Sequence, residues 1–396
     1  MRRVTAHPHN FPIHFPNDVS LEVQSAAYQS NDPTHRVDLK TLSRDELEEL
    51  AEDLGLKAYR GRQIFMWLYK KGATSFDAMT DLPQDFRDRL KEVAIIGSMG
   101  LERLQTASDQ TVKALFTLSS GRHIETVLIP DINSNGTANR LTVCVSSQVG
   151  CAMGCGFCAT GQMGFQQNLT PGEIFDQAFY MNRLALERYG RSITNVVFMG
   201  MGEPLLNYDN VKLSIERLTH PDGLGLAARR ITVSTVGLAR RIRQFADEVA
   251  GVNLAVSLHA PTDEQRSSII PVNRAAATDL NALREAILYY TTRTDRRVTY
   301  EYCMFHRFND SPDDAIKLAN FVDQAPGKVN LIMYNPVDGL DFQRTPEDRL
   351  NAFISVLVQR GVTVTVRRSR GQDIDAACGQ LAVKKKPGGS SERATL

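Results

Sequence analysis

Cysteine is scarce in this chain, six in 396 residues, and tryptophan occurs once. So few cysteines cannot build the disulfide scaffold of a small secreted protein. No apolar run approaches the roughly 18 residues of a membrane-spanning helix. The opening MRRVTAHPHNFPIHFPNDVS also lacks the apolar stretch of about 7–15 residues that marks a secretory signal. Neither sign of charge dominates: 46 Lys and Arg against 45 Asp and Glu leave a formal net charge of +1. That balance argues against a basic coat for nucleic acid while leaving local patches open. Together these absences predict a cytoplasmic protein without membrane contact. There thiols stay reduced, and clustered cysteines serve as metal ligands or catalysts.

What is present is alternation. Residues 1–36, rich in Pro, His, Asn and Ser and without periodicity, predict a mobile N-terminal arm. Over 37–98 the pattern turns helical: LSRDELEELAEDLGL, with Ser43 and Glu46 at capping-box spacing, then GRQIFMWLYKKG and DLPQDFRDRLKEVA. These form a small accessory domain. Residues 99–140 carry two strand-like runs, TVKALFTLSS and RHIETVLIPD, joined at Gly121 as a β-hairpin extension. From 141 to 371 a strand-like run precedes a helix-like run six times, beginning LTVCVSS and closing on a last strand, VTVTVRRS. The fold class is therefore α/β with a parallel sheet and helices outside. Six units fall short of the eight of a closed barrel, so an open, partial (β/α)6 barrel is expected. Residues 372–396 form a C-terminal segment holding Cys378 and a flexible tail whose run Lys384–Lys386 reads as solvated.

In such folds chemistry collects at the carboxyl ends of the strands. The unusual residues fall there. Cys151, Cys155 and Cys158, spaced C-x3-C-x2-C, follow the first strand; GMGEP (Gly200–Pro204), STVG (Ser234–Gly237), SLHAP (Ser257–Pro261) and YNP (Tyr334–Pro336) follow others. A structural zinc site closes with four ligands, which would enlist Cys144 from the strand interior, an awkward position. Three cysteines on one loop instead suit a [4Fe–4S] cluster with one iron left open. Of the remaining cysteines, Cys378 and Cys144 alone read as small buried residues, and Cys303 as a core thiol. The electropositive VRRSRG (Val366–Gly371) upstream of Cys378 would favour a thiolate there.

The C-x3-C-x2-C loop after strand one, with Phe157 before the third cysteine, resembles the radical S-adenosylmethionine (SAM) enzymes. With CVSSQVGCAMGCGFCATG, GMGEPLLNY, TVSTVG, SLHAP and DIDAACGQL, the match narrows to the RlmN/Cfr group of RNA adenine methyltransferases, closest to its RlmN branch, over roughly residues 40–382. The resemblance implies that the three cysteines hold the cluster, whose open iron is chelated by SAM, and that one electron cleaves SAM to a 5′-deoxyadenosyl radical. Two SAM are used per turnover. A cysteine matching Cys378 takes a methyl group, loses a hydrogen atom from it to the radical, and becomes joined to C2 of adenine in 23S rRNA or tRNA. Cys144 matches the cysteine that breaks this crosslink and leaves a disulfide. Glu125 matches a proton acceptor. Gly202, Glu203, Ser234, Ser257, Leu258, His259 and Asn335 match SAM contacts. A flavodoxin-like electron donor and a monomer are expected. Two alternatives stand beside this reading: Cfr-like methylation at C8, and a zinc-bearing RNA-binding module without catalysis. For RNA contact, Lys57, Tyr59, Arg60, Arg62, Phe65, Trp67, Tyr69, Lys70 and Lys71 interleave cations with aromatics. An amphipathic helix that solvates its charges reads the same stretch equally well.

Overall fold

A ten-stranded sheet organises the chain, and its strands lie side by side in the order in which the sequence makes them. The computed structural model describes residues 36–275 and 279–382. The expected arm, apart from Arg36, and the Lys384–Lys386 run lie outside them. Strands β1 (Gly100–Thr106), β2 (Val112–Thr117), β3 (His123–Ile132) and β4 (Ala138–Cys144) form an antiparallel meander. From β4 onward every pairing is parallel: β5 (Asn195–Phe198), β6 (Ile231–Thr235), β7 (Asn253–Ser257), β8 (Val298–Met304), β9 (Gly327–Met333) and β10 (Val364–Arg367). β4 therefore belongs to both halves. The expected hairpin is larger than its sequence suggested, because β1, with Glu102 and Arg103 on an edge, lacks the apolar alternation that marks a strand.

The six crossover helices are α4 (Pro171–Tyr189), α5 (Tyr208–Thr219), α6 (Ala239–Glu248), α7 (Leu280–Thr294), α8 (Pro312–Gln324) and α9 (Glu347–Gln359), counted after the N-terminal helices α1 (Arg44–Asp53), α2 (Tyr59–Tyr69) and α3 (Gln84–Val93). Local signals set their ends. Ser43, Thr170 and Ser311 each close a capping box, and Gly190 stops α4 in the left-handed conformation. β8 is buried along nearly its whole length, as a strand covered on both faces must be.

Two buried cations fasten the N-terminal helices to the barrel. Arg217 of α5 donates to the carbonyls of Lys40 (3.1 Å) and Leu42 (2.7 Å), with its guanidinium 4.8 Å from the Tyr69 ring centre. Lys40 pairs with Asp176 of α4 at 2.7 Å. Among the described residues no helix is long and apolar enough to cross a membrane.

Candidate active site

The cysteine loop leaves β4 and is pinned at both ends by a short antiparallel ribbon, Gln148–Gly150 against Phe165–Asn168. Inside it, Cys151 N–H donates to Gly164 O (3.0 Å), Gly156 N–H to Ile269 O (2.9 Å) and Cys158 N–H to Cys155 O (3.2 Å). Gly161 packs tightly, since a Cβ there would lie 3.0 Å from the Cys155 backbone. Cys155 is buried, and Cys151 and Cys158 are half-buried. Burial pushes the Cys151 thiol up to about 12 and raises Cys155 and Cys158, whose neighbouring thiols add to the effect. Behind the loop lies a residue that sequence reading missed. Arg266, fully buried, donates to Val236 O and to Asn273 Oδ1, and its charge acts on Cys155.

Beside Cys158 opens a cavity of about 160 Å³ lined by Phe157, Gly202, Glu203, Ser234, Ser257, His259, Cys303 and Cys378. Most of the expected SAM residues thus meet. Glu203 is buried and accepts from Leu205 N–H (3.0 Å) and Val236 N–H (2.9 Å); burial raises it to about 7. Gly202, at φ +99°, faces Gln148 so closely that a Cβ would lie 2.5 Å from its side chain. Ser234 and Ser257 stand with their hydroxyls 3.5 Å apart. His259 accepts from Cys303 N–H at Nδ1 (2.9 Å), which makes Nε2 the protonated nitrogen of a neutral ring. That ring meets Phe157 edge-on at 4.8 Å. Leu258 is the exception among these residues. Its side chain is wholly buried outside both cavities, and only its backbone, donating to Glu301 O, touches the site's framework.

A larger cavity of about 660 Å³ adjoins the first, sharing Cys158, Met199, Glu301, Arg367 and Cys378. It also takes in Cys144 and Asn335. Both candidate catalytic cysteines therefore line one space, and both are free thiols. Burial pushes Cys144 up to about 12 and Cys378 adds to this, while the Arg367 guanidinium opposes it. Arg367 is itself raised, chiefly by Cys378. Of the three arginines upstream of Cys378, Arg367 alone lines both cavities with it. Glu301, buried and accepting from Asn330 Nδ2 (2.7 Å), is a second residue the sequence did not single out. Cys303 was expected in the core; it is buried, yet it also lines the smaller cavity.

Cys378 sits on a strap, residues 371–382, that follows β10. Gly371 and Gly379 take positive φ as turns, but the strap is tied down. Gly371 N–H donates to Asp109 Oδ2 (3.0 Å) and Ser108 N–H to Asp373 Oδ2 (2.8 Å). Ala159 N–H donates to Gly379 O (2.8 Å), Thr160 Oγ1 to Leu381 O (2.6 Å) and Asn335 Nδ2 to Cys378 O (3.2 Å). Glu125 lines neither cavity. Nor is it an exposed hairpin carboxylate: it is 1% exposed, paired with Lys113 at 3.0 Å.

Three exposed cations of the mixed cation–aromatic stretch, on α2 and just after it, have partners within the chain. Arg62 pairs with Glu48 (2.8 Å) and Lys70 with Asp222 (3.2 Å), while Lys71 lies 3.5 Å from the Trp67 ring centre, within reach of Asp81. This favours the packed amphipathic helix over an open RNA face.

Two family models match. Residues 37–96 match the ribosomal RNA large subunit methyltransferase N-terminal domain, and residues 145–319 match the radical SAM superfamily. A probable dual-specificity RNA methyltransferase RlmN from Salinibacter ruber is 58% identical over 361 residues, covering 91% of this chain and 98% of that protein. The chain belongs to the RlmN family of radical SAM RNA methyltransferases. A dual-specificity RNA methyltransferase RlmN from an Anaeromyxobacter species is 42% identical, covering 92% of this chain and 95% of the relative. The crystal structure of a radical SAM methyltransferase from Sphaerobacter thermophilus superposes with a TM-score of 0.81 at 44% identity, covering 88% of this chain and all 100% of that one. Membership in the RlmN family makes the chain an RNA-methylating enzyme and implies a [4Fe–4S] cluster and SAM as its cofactors.

The residues present fit those groups. Three soft sulfur donors share one loop, a buried guanidinium stands behind them to offset negative charge, and polar side chains line the smaller cavity together with Cys158. Among the described residues no three His, Cys, Asp or Glu side chains converge on a single ion.

His259 gives a pH test. Burial, helped by Arg266, pushes it down to about 3. The unfolded chain takes up this proton near about 6.5, so its contribution to stability is present above that pH and is lost as pH falls toward the folded value. The expected NMR result is one Nε2–H tautomer for His259 with no titration between about pH 5 and 8; a midpoint near that of free histidine would contradict the geometry.

Proposed function

We propose that this chain methylates C2 of adenine in 23S rRNA and tRNA, with Cys378 carrying the methyl group and Cys144 releasing the product. The observation that carries this reading is the shared cavity, in which Cys378 and Cys144 line one wall system beside Cys158 and Arg367. We assign Cys151, Cys155 and Cys158 to the cluster, and Gly202, Glu203, Ser234, Ser257, His259 and Asn335, with the Leu258 backbone, to SAM, two molecules per turnover. When bound, these groups supply an electrophilic methyl group in one half of the cycle and a one-electron route to a carbon radical in the other.

The remaining steps belong to the chain. Cys378 Sγ, beside Arg367, attacks as thiolate: its bond to the methyl carbon forms as that carbon leaves a sulfonium, giving a neutral thioether. Adenine C2 has no nucleophilic character, so this methyl must first lose a hydrogen atom before its carbon can bond to the ring. The ring then gives up the C2 proton to solvent and one electron, which the same one-electron route would take back when its group is bound, and so regains aromaticity as a thioether adduct. Cys144, held as a thiol by burial, completes the cycle. Its sulfur bonds to Cys378 Sγ, the sulfur–carbon bond breaks, and the thiol proton passes to the methylene to make the methyl group. The disulfide so formed takes two electrons before the next turnover, which suits a reducing cytoplasm. The reading carries with it a flavodoxin-like donor and a monomer. Methylation at C8 would use the same cysteines; the dual-specificity RlmN names of the relatives favour C2.

For RNA we favour the mouth of the larger cavity over α2. Arg140, Lys328, Arg368 and Arg370 line it and are exposed, framing a gap between β10 and the meander.

Two outcomes are expected. After anaerobic reconstitution, nucleoside mass spectrometry should find 2-methyladenosine with wild type and none with Cys378→Ala; methylation by the variant would remove the covalent route, and 8-methyladenosine would move the chain to the alternative specificity. In RNA binding, Arg368→Ala/Arg370→Ala should lower the salt-dependence slope by about 2, one per lost phosphate contact, whereas Arg62→Ala should leave it nearly unchanged. The reverse ranking would return RNA contact to α2.

A further inference from the structure

Glu125 is the carboxylate that the family resemblance assigns to proton transfer, and it faces a different apparatus. On β2 and β3 Lys113 stands opposite Val127 and Glu125 opposite Leu115, so the two charged side chains are diagonal neighbours on one face of the sheet. Both are buried, 5% and 1% exposed, and their charged atoms lie 3.0 Å apart. Each also reaches the strap. Lys113 Nζ donates to Asp375 O (3.1 Å), and Glu125 Oε2 accepts from Ala382 N–H (3.0 Å). Asp375 and Ala382 stand on either side of Cys378. Near the amino end of β3, Ser146 Oγ, just past the carboxyl end of β4, donates to the carbonyl of Glu125 (2.6 Å), which fixes the backbone that carries the carboxylate.

We propose that Lys113 and Glu125 are a two-pronged clamp that holds the loop from Asp375 to Ala382 and so sets where Cys378 Sγ stands in the shared cavity. Glu125 is then a positioning residue and not the proton acceptor. Two physical points support this. A hydrogen bond to an ionised group is about twice as strong as a neutral one, so each prong holds more firmly than a neutral side chain would. A buried ion pair is also a poor device for stability alone, since apolar residues of the same volume often serve as well; what it supplies here is a fixed donor and a fixed acceptor at two points on one loop. The carboxylates that do line the cavities are Glu203, Glu301 and Asp131. The inference rests on Cys378 being the methyl-carrying thiol.

The test uses Lys113→Met, which keeps the apolar stem and loses the donor, Glu125→Ala, which loses the acceptor, and Glu125→Gln, which keeps an acceptor but is no base. On protein without cluster or SAM, amide exchange over residues 376–382 and alkylation of Cys378 by iodoacetamide are followed by mass spectrometry. Lys113→Met and Glu125→Ala are expected to speed both by about tenfold, the change in local opening from one charge-assisted hydrogen bond; Glu125→Gln should stay within about threefold of wild type. In the reconstituted enzyme, methyl incorporation into Cys378 without RNA involves no adenine proton. It should slow in Lys113→Met and Glu125→Ala and largely recover in Glu125→Gln. Unchanged exchange and alkylation in the first two variants would overturn the clamp, as would Glu125→Gln methylating Cys378 at the wild-type rate while making no methylated adenine. If wild type itself takes no methyl on Cys378, the proposed function fails, and the exchange data alone still decide the clamp. Should a single variant not fold, Lys113→Met/Glu125→Gln, which leaves no buried charge, replaces it; losing the Asp375 prong, it is expected to show the same tenfold rise, and no rise overturns the proposal.

Discussion

An open parallel sheet leaves a gap between its first and last parallel strands, and the site depends on what fills that gap. Here the chain does so with its own continuation: the strap after β10 folds back and is bonded to the meander at Asp109 and Ser108 and to the cysteine loop at Ala159 and Thr160. Each of these bonds has a backbone group on at least one side, and three of the four add a polar side chain, Asp109, Asp373 or Thr160, so Cys378 is placed by the path of the chain together with these side chains. The consequence is two adjoining cavities in which the end of the cysteine loop, the strand-end residues and the two candidate catalytic thiols meet.

Charge in that space is arranged by burial. Arg367, half-buried, stands by the two candidate catalytic thiols, and Arg266, fully buried, stands behind the cysteine loop, where an opposite charge is worth more than at the open surface. The histidine is kept neutral by the same low-dielectric setting that raises the thiols. A pocket so built holds Cys144 as a thiol and sets a positive charge beside it. That setting is compatible with the proposed roles of the two thiols.

The six strand–helix units were legible because each parallel strand is a short apolar run and each helix carries a cap or an amphipathic face. The cysteine loop was legible because its spacing is local. What stayed hidden depends on pairing at a distance. β1 has an exposed, charged edge and only its partner β2 makes it a strand. The ribbon around the cysteine loop has three residues on one side and four on the other, below any periodicity. The cations of α2 looked open because their partners Glu48, Asp81 and Asp222 lie on other segments. Lys113 and Glu125 are separated by a turn and joined only by register, and Glu301 and Arg266 read as ordinary charged residues until burial is known. Leu258 shows the opposite limit: a motif marks the position, while the side chain itself belongs to the core.

The division of labour between the two thiols is the central claim, and a trapped intermediate tests it most directly. Cys144→Ala, reconstituted and incubated with SAM and RNA, is digested with nuclease and protease and the Cys378 peptide is weighed. The expected product is an adenosine joined through one methylene to Cys378, accumulating in the variant and scarce in wild type. Free methylated RNA without an adduct would show that Cys144 does not resolve the crosslink, and an unmodified Cys378 peptide would show that no such crosslink forms.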